Sequence, residues 1–262
     1  MPRSCFLPVG ALVGLLASGL PSFGLSAQLV ELRVPVQEGA EFVRTSRQIV
    51  DASGPGTSST SETRWTVGIR VAELRADGGG ILHFTMESLV SVPPGTPGET
   101  DPVTDAWLGN ATHVPFEPGG KVDLSGWSFP DGDDDFAFVE SIRIMETLGP
   151  VGNASGLPTG LPPALRIGES FRLGLWGSPG AHPTAFTLEA VDEVDGRRIA
   201  RIRMESGGPV PGDVSQQGAG YLRIDLDAGR LVEWAFTHET IQTDPRGVRI
   251  SIVREERVVP RT

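Results

Sequence analysis

Cysteine is almost missing from this chain: of 262 residues, only Cys5 carries a thiol. Cys5 lies in the apolar amino-terminal run with no lipobox-like Leu-Ala-Gly before it, so a lipidated amino terminus finds no support. Without that segment the chain has no disulfide and no thiolate zinc site to hold it together. Unbroken apolar runs are lacking too. The stretch from Cys5 to Leu20 is interrupted by Pro8, Gly10, Gly14 and Gly19, whereas a spanning helix needs roughly 20 consecutive apolar residues. Basic residues are in deficit, 22 against 33 acidic ones, for a net charge of −11. That sign disfavours nucleic acid as a partner. Gly-x-Ser-x-Gly, His-Glu-x-x-His and Gly-x-x-x-x-Gly-Lys are all absent, which removes the usual basis for a serine hydrolase, a zincin or a P-loop enzyme.

What is present begins with a leader. Pro2-Arg3 precedes the apolar run, and the small residues of Gly24-Leu25-Ser26-Ala27 follow it, the pattern of a secretory signal peptide over residues 1–27. Cleavage is expected before Gln28; Leu25, large for the third position before the cut, leaves cuts before Ala27 or Leu25 as alternatives. The reading is an exported chain, periplasmic or extracellular, with no membrane span after cleavage. A hydrophobic content of 39% suits a globular protein, and 34 Gly with 22 Pro suit one rich in turns.

Period-two alternation dominates the rest. Trp65, Val67, Ile69 and Val71 fall on one face of a strand, and the turn Asp77-Gly78-Gly79-Gly80 leads into Ile81 through Met86. That is a hairpin. A second runs from Phe186 to Glu193, turns over Val194-Asp195-Gly196-Arg197 and returns from Ile199 to Met204. A third joins Tyr221–Asp225 to Leu231–Phe236 through Asp227-Ala228-Gly229, and a last strand follows Pro245-Arg246-Gly247. Strands of this kind bury one face and wet the other, as antiparallel sheets do.

The two halves share landmarks in the same order. Gly39-Ala40-Glu41-Phe42 matches Gly168-Glu169-Ser170-Phe171, Met86-Glu87-Ser88 matches Met204-Glu205-Ser206, and the turn Phe116–Asp123 parallels Leu226–Glu233. This predicts a mainly β, β-rich α+β fold: two similar curved antiparallel β units joined by one helix. The first unit with its helix spans residues 28–148, a Gly/Pro-rich linker 149–164, and the second unit 165–262. Phe138, Ile142, Met145 and Leu148 recur at helical spacing, with Gly149 and Pro150 closing a helix near Asp134 to Leu148. The acidic run Pro130-Asp131-Gly132-Asp133-Asp134-Asp135 then sits where carboxylates cap free N–H groups. An EF-hand loop starting at Asp131 would need Gly and Glu where Phe136 and Ile142 stand. A cation site of another kind is the alternative; no metal or cofactor is assigned.

Candidate catalytic groups are scattered. His83, His113, His182 and His238 are far apart, and His238-Glu239 would point to opposite faces of a strand. Asp225 and Asp227 flank a turn, where Asp serves the backbone. Asn110-Ala111-Thr112 and Asn153-Ala154-Ser155 fit the glycosylation pattern, a motif short enough to recur by chance.

The chain resembles a family of uncharacterised secreted bacterial β-rich proteins with two similar halves. The residues that carry the resemblance are Leu161-Pro162-Pro163, Ile167-Gly168-Glu169-Ser170-Phe171, Gly220-Tyr221-Leu222-Arg223-Ile224-Asp225 and Gly229-Arg230, over most of Leu29 to Val258. Phe171 stands where the family often has Trp. The resemblance implies a fold and an exported location, and no catalytic residues. At the level of fold alone the plan is similar to periplasmic lipoprotein carriers. Three classes follow. A binding or carrier protein for an apolar ligand, a lipid or another envelope component, would line its site with Trp65, Phe84, Trp234 and Phe236, residues that otherwise read as ordinary core. A structural or interaction module of the envelope would need no pocket. An enzyme would need converging polar groups that these motifs do not supply.

Overall fold

Residues 29–92, 108–109, 111–122, 154–157, 161–173, 183–210, 214–243 and 246–261 are described by the computed structural model. The leader, the acidic run, the helix expected near Asp134 to Leu148, His182, Asn110 and Asn153 lie outside the described residues, as does much of the linker.

Twelve strands follow in chain order: β1 (Leu29–Glu31), β2 (Glu41–Gly54), β3 (Thr57–Leu74), β4 (Gly80–Val92), β5 (Ala111–Phe116), β6 (Ala164–Arg166), β7 (Ser170–Leu173), β8 (Thr184–Val194), β9 (Arg197–Val210), β10 (Val214–Asp225), β11 (Arg230–Thr243) and β12 (Arg249–Pro260). Ten of them form one antiparallel sheet, which read from β7 runs β7-β8-β9-β10-β11-β12-β2-β3-β4-β5. Each strand lies beside its sequence neighbour except at one seam. There β12 pairs with β2, from Arg249 opposite Ser53 to Pro260 opposite Phe42. The strands expected as two β units therefore share one sheet, and no described residue is helical. β1 and β6 pair with each other in a separate two-stranded piece.

The turns explain the meander. Asp195 and Gly196 both adopt positive φ, 51° and 73°, as a two-residue hairpin loop of Asp-Gly type requires. In the β10–β11 turn, Oδ1 of Asp225 accepts from the backbone N–H groups of Asp227 and Ala228, at 3.1 and 2.8 Å. Asp there serves the backbone, as its position implies.

Alternation puts one face inside. Val71, Leu82 and Val114 are opposite one another on β3, β4 and β5, and Phe186, Met204 and Phe236 share a row through Gly220 on β8 to β11. These side chains belong to one buried cluster running along the sheet. Val30, Leu32 and Leu165, from β1, the residue after it and β6, join the cluster with Ala154 and Leu157. Gly156, at φ +80°, a conformation that side chains other than hydrogen disfavour, brings its backbone against Phe42 and Leu231. One end of the inner face is thus covered.

Gly218 and Gly220 on β10 make room for an aromatic ring. A Cβ at either would collide with the Phe236 ring, and at Gly220 also with the Ala235 carbonyl oxygen. The ring lies over the bare strand and replaces the packing that two side chains would have given. Gly220→Ala is expected to cost about 1–3 kcal/mol, read as a lower urea midpoint with an unchanged slope.

On the outer face His83 and His113 stack directly across β4 and β5, ring centroids 4.3 Å apart. Burial, then His113 and then Arg70, hold the His83 imidazole below its ordinary value. The unfolded chain therefore binds this proton more readily. Stability should be full above about pH 6.5 and fall as the pH drops through that value towards the folded one. Urea midpoints measured across this range should show the slope, and His83→Gln should flatten it.

Candidate ligand-binding face

At the seam, four strands place side chains on the inner face in three consecutive rows. Trp234, Val258, Arg44 and Val67 form the first, on β11, β12, β2 and β3. Phe236, Glu256, Ser46 and Trp65 form the second; His238, Arg254, Gln48 and Thr63 the third. An apolar face thus gives way to a polar patch.

The first two rows are buried, and the third is half-buried. Arg44 is 1% exposed and Glu256 4%. Arg44 Nη2 lies 2.7 Å from Glu256 Oε2, and the guanidinium sits over the Trp234 ring, 5.8 Å from its centroid, where the π face attracts a cation. Arg254 donates through Nη2 to Gln48 Oε1 at 2.8 Å. The His238 ring is near-parallel to that of Phe236, at 6.4 Å. Burial pushes the Glu256 carboxyl up, against the pull of Arg44 and Arg254. Burial likewise pushes Arg254 down, and it lowers His238 with help from Arg254.

Several polar atoms of the patch have no hydrogen-bond partner among the described residues: Nε and Nη1 of Arg44, Oγ of Ser46, Nε1 of Trp65 and of Trp234, and Oε1 of Glu256. Buried groups are normally satisfied, and each unpaired one costs about 1–3 kcal/mol. Most of these atoms can only donate.

All four residues singled out from the sequence are buried on this face. Trp65, Trp234 and Phe236 flank the Arg44–Glu256 pair; Phe84 stands away from it, between Ile69 on β3 and Thr112 on β5. Glu233 lies on the other face, accepting from Arg257 Nε at 2.6 Å. Glu239 is also outside, bonded to Gln217 at 2.5 Å, and does not converge with His238. Arg44, Ser46, Gln48, Arg254 and Glu256 were not singled out. Their signal is a spacing of two, Phe42-x-Arg44-x-Ser46 and Arg254-x-Glu256-x-Val258, which puts opposite charges on the inner faces of strands that only the fold brings together.

The outer face carries an open groove of about 790 Å³ across the same strands, bordered by Tyr221, Thr45, Thr66, Arg47, Arg64 and Arg257. Its charges are matched: Arg47 contacts Glu62 at 2.8 Å and Glu255 at 3.4 Å. Hydrogen bonds from Arg47 and Arg64 bring the Glu62 carboxyl down to about 2. Among the described residues no group of three metal-ligating side chains occurs, and no helix is long and apolar enough to cross a membrane.

No family model matches the chain, and no curated protein matches it. A solved structure of lipovitellin, concerned with its lipid–protein interactions, is similar over 87% of this chain with a TM-score of 0.51 and 8% identity. The chain spans only 25% of the lipovitellin chain. DynF of the dynemicin biosynthesis pathway of Micromonospora chersina aligns over 97% of this chain and 92% of its own, at 11% identity and a TM-score of 0.21. A DUF1329 family protein of Desulfovibrio piger aligns over 84% and 85%, at 12% and 0.13. Of these three, the lipovitellin match alone bears on the fold, and it bears on nothing else.

Removing Arg44 should leave Glu256 buried without its counter-charge. Arg44→Leu is expected to cost about 3–5 kcal/mol, while Arg44→Leu with Glu256→Leu should recover most of the loss. A double-mutant cycle by urea unfolding measures both.

Proposed function

We propose that this protein is a non-catalytic binding or carrier protein for a lipid-like ligand held against the inner face of the sheet. The observation that carries the reading is the face itself: one apolar cluster drawn from strands on both sides of the seam and bordered there by a polar patch, in a fold similar to part of a protein studied for its contacts with lipid. Trp65, Trp234 and Phe236 would line the ligand at the seam and Phe84 deeper in the apolar part. Export fits this role, and the leader-like residues 1–27 support it; residues 28–148 and 165–262 are the two units of the proposal, with 149–164 as the connection.

A shared origin of the two units has further support in their hydrogen bonds. Gly39 N–H donates to Val71 O, and Val71 N–H to Ala40 O; Gly168 N–H donates to Leu188 O, and Leu188 N–H to Glu169 O. A bulge follows Val71 on β3 and Leu188 on β8. By these landmarks Leu82 corresponds to Ile202 and Phe84 to Met204, so the match of Met86-Glu87-Ser88 with Met204-Glu205-Ser206 expected from the sequence is out of step by two residues and counts against the duplication.

Native mass spectrometry of the protein purified from its own cells tests the function. The expected result is a lipid adduct that organic extraction removes and added lipid restores. A ligand-free mass, together with no uptake of a fluorescent fatty acid by the extracted protein, would overturn it.

A further inference from the structure

We infer that the Arg44–Glu256 patch is a head-group site for an amphipathic anion, a long-chain carboxylate or phosphate; this rests on the carrier reading and gives it a ligand class. The patch holds a surplus of buried donors. Arg44 Nε and Nη1 and the indole N–H groups of Trp65 and Trp234 have no acceptor among the described residues. A guanidinium and an indole can only donate, so these groups cannot satisfy one another. Ser46 Oγ, between Glu256 and Trp65, can donate as well. The one unpaired acceptor of the patch, Glu256 Oε1, is outnumbered by these donors; the missing partner is therefore a further group of acceptors, and an oxyanion supplies several lone pairs from one small group.

Charge points the same way. Arg44 and Arg254 share the patch with one carboxylate, Glu256, and guanidinium groups stay protonated. An ammonium head would bring more donors and more positive charge to a site already rich in both. A neutral chain would leave every unpaired donor as it is. The position suits an amphiphile. Beyond the third row the same face carries Ile252 and Val50, then Ile250 and Ala52, all half-buried. An acyl chain laid over these residues would cross the third row and bring its head among Arg44, Ser46, Trp65 and Trp234, with Phe84 on the far side of the head.

Isothermal titration of the extracted full chain with dodecanoate, dodecyl phosphate and dodecanol tests this. Both anions should bind roughly 10-fold or more tighter than the alcohol. Trp65→Phe and Trp234→Phe, which keep a ring and remove the donor, should each weaken the anions about 5-fold more than they weaken dodecanol. Inorganic phosphate should fail to compete at millimolar concentration. Dodecanol binding as tightly as the anions would overturn the head-group site, as would tryptophan variants that keep the full preference while folded by circular dichroism. Phosphate competing as well as dodecyl phosphate would overturn the amphiphile. Should all three chains fail to bind, the carrier reading falls; should all three bind alike, only the head-group assignment does.

Discussion

The pairing of β12 with β2 is the contact on which the rest of the structure depends. Without it the chain would form two meanders, β2 to β5 and β7 to β12, each with an extra open edge. An unpaired strand of this length exposes a row of backbone donors and acceptors and invites aggregation. Joining the two meanders satisfies both edges at once and makes their apolar faces one surface. The join is also the longest loop closure in the sheet, so its entropy must be met by the contacts formed there. Those contacts are not all apolar: at the seam, buried side chains of opposite charge, Arg44 and Glu256, come from the two strands themselves.

A buried ion pair specifies more than it stabilises. Its desolvation consumes much of the attraction, and well-packed apolar residues would serve stability as well or better. What it does secure is register. Sliding β12 by one residue along β2 would turn Glu256 to the outer face and leave Arg44 alone inside. The pair therefore locks two strands about two hundred residues apart in sequence into the one alignment that keeps Val258, Trp234 and Val67 within the core.

The local half of this structure was legible. Alternation at Trp65-x-Val67-x-Ile69-x-Val71 and the turns at Asp195-Gly196 and Asp227-Ala228-Gly229 announce their hairpins, because period and turn chemistry act over a few residues. The inward placement of Trp234 and Phe236 followed from the same period. The seam was not legible, since nothing within β2 or β12 names its partner. Arg44 and Glu256 stayed hidden for a related reason: an Arg two residues from Phe42 reads as a strand growing polar towards its end, until a neighbour shows that it is buried. Shared landmarks suggested two similar units joined by a helix, whereas edge satisfaction joins their strands in one sheet.

The polar patch departs from the pattern of most of the inner face. Elsewhere that interior is mainly Val, Leu, Ile, Met and Phe, with hydroxyls such as Thr112 and Thr184 among them, and where a side chain is missing, at Gly218 and Gly220, an aromatic ring covers the gap. At the seam the same interior keeps two indoles with unpaired N–H groups and a guanidinium with unpaired nitrogens. Register alone does not call for this. The Arg44–Glu256 contact already fixes the alignment of β12, and Phe in place of Trp65 and Trp234 would pack without an unpaired donor. Native sequences depart from local consistency where function requires it. A surplus of donors at the margin of a large apolar face has the chemistry of a place where an apolar body ends and an anionic head begins.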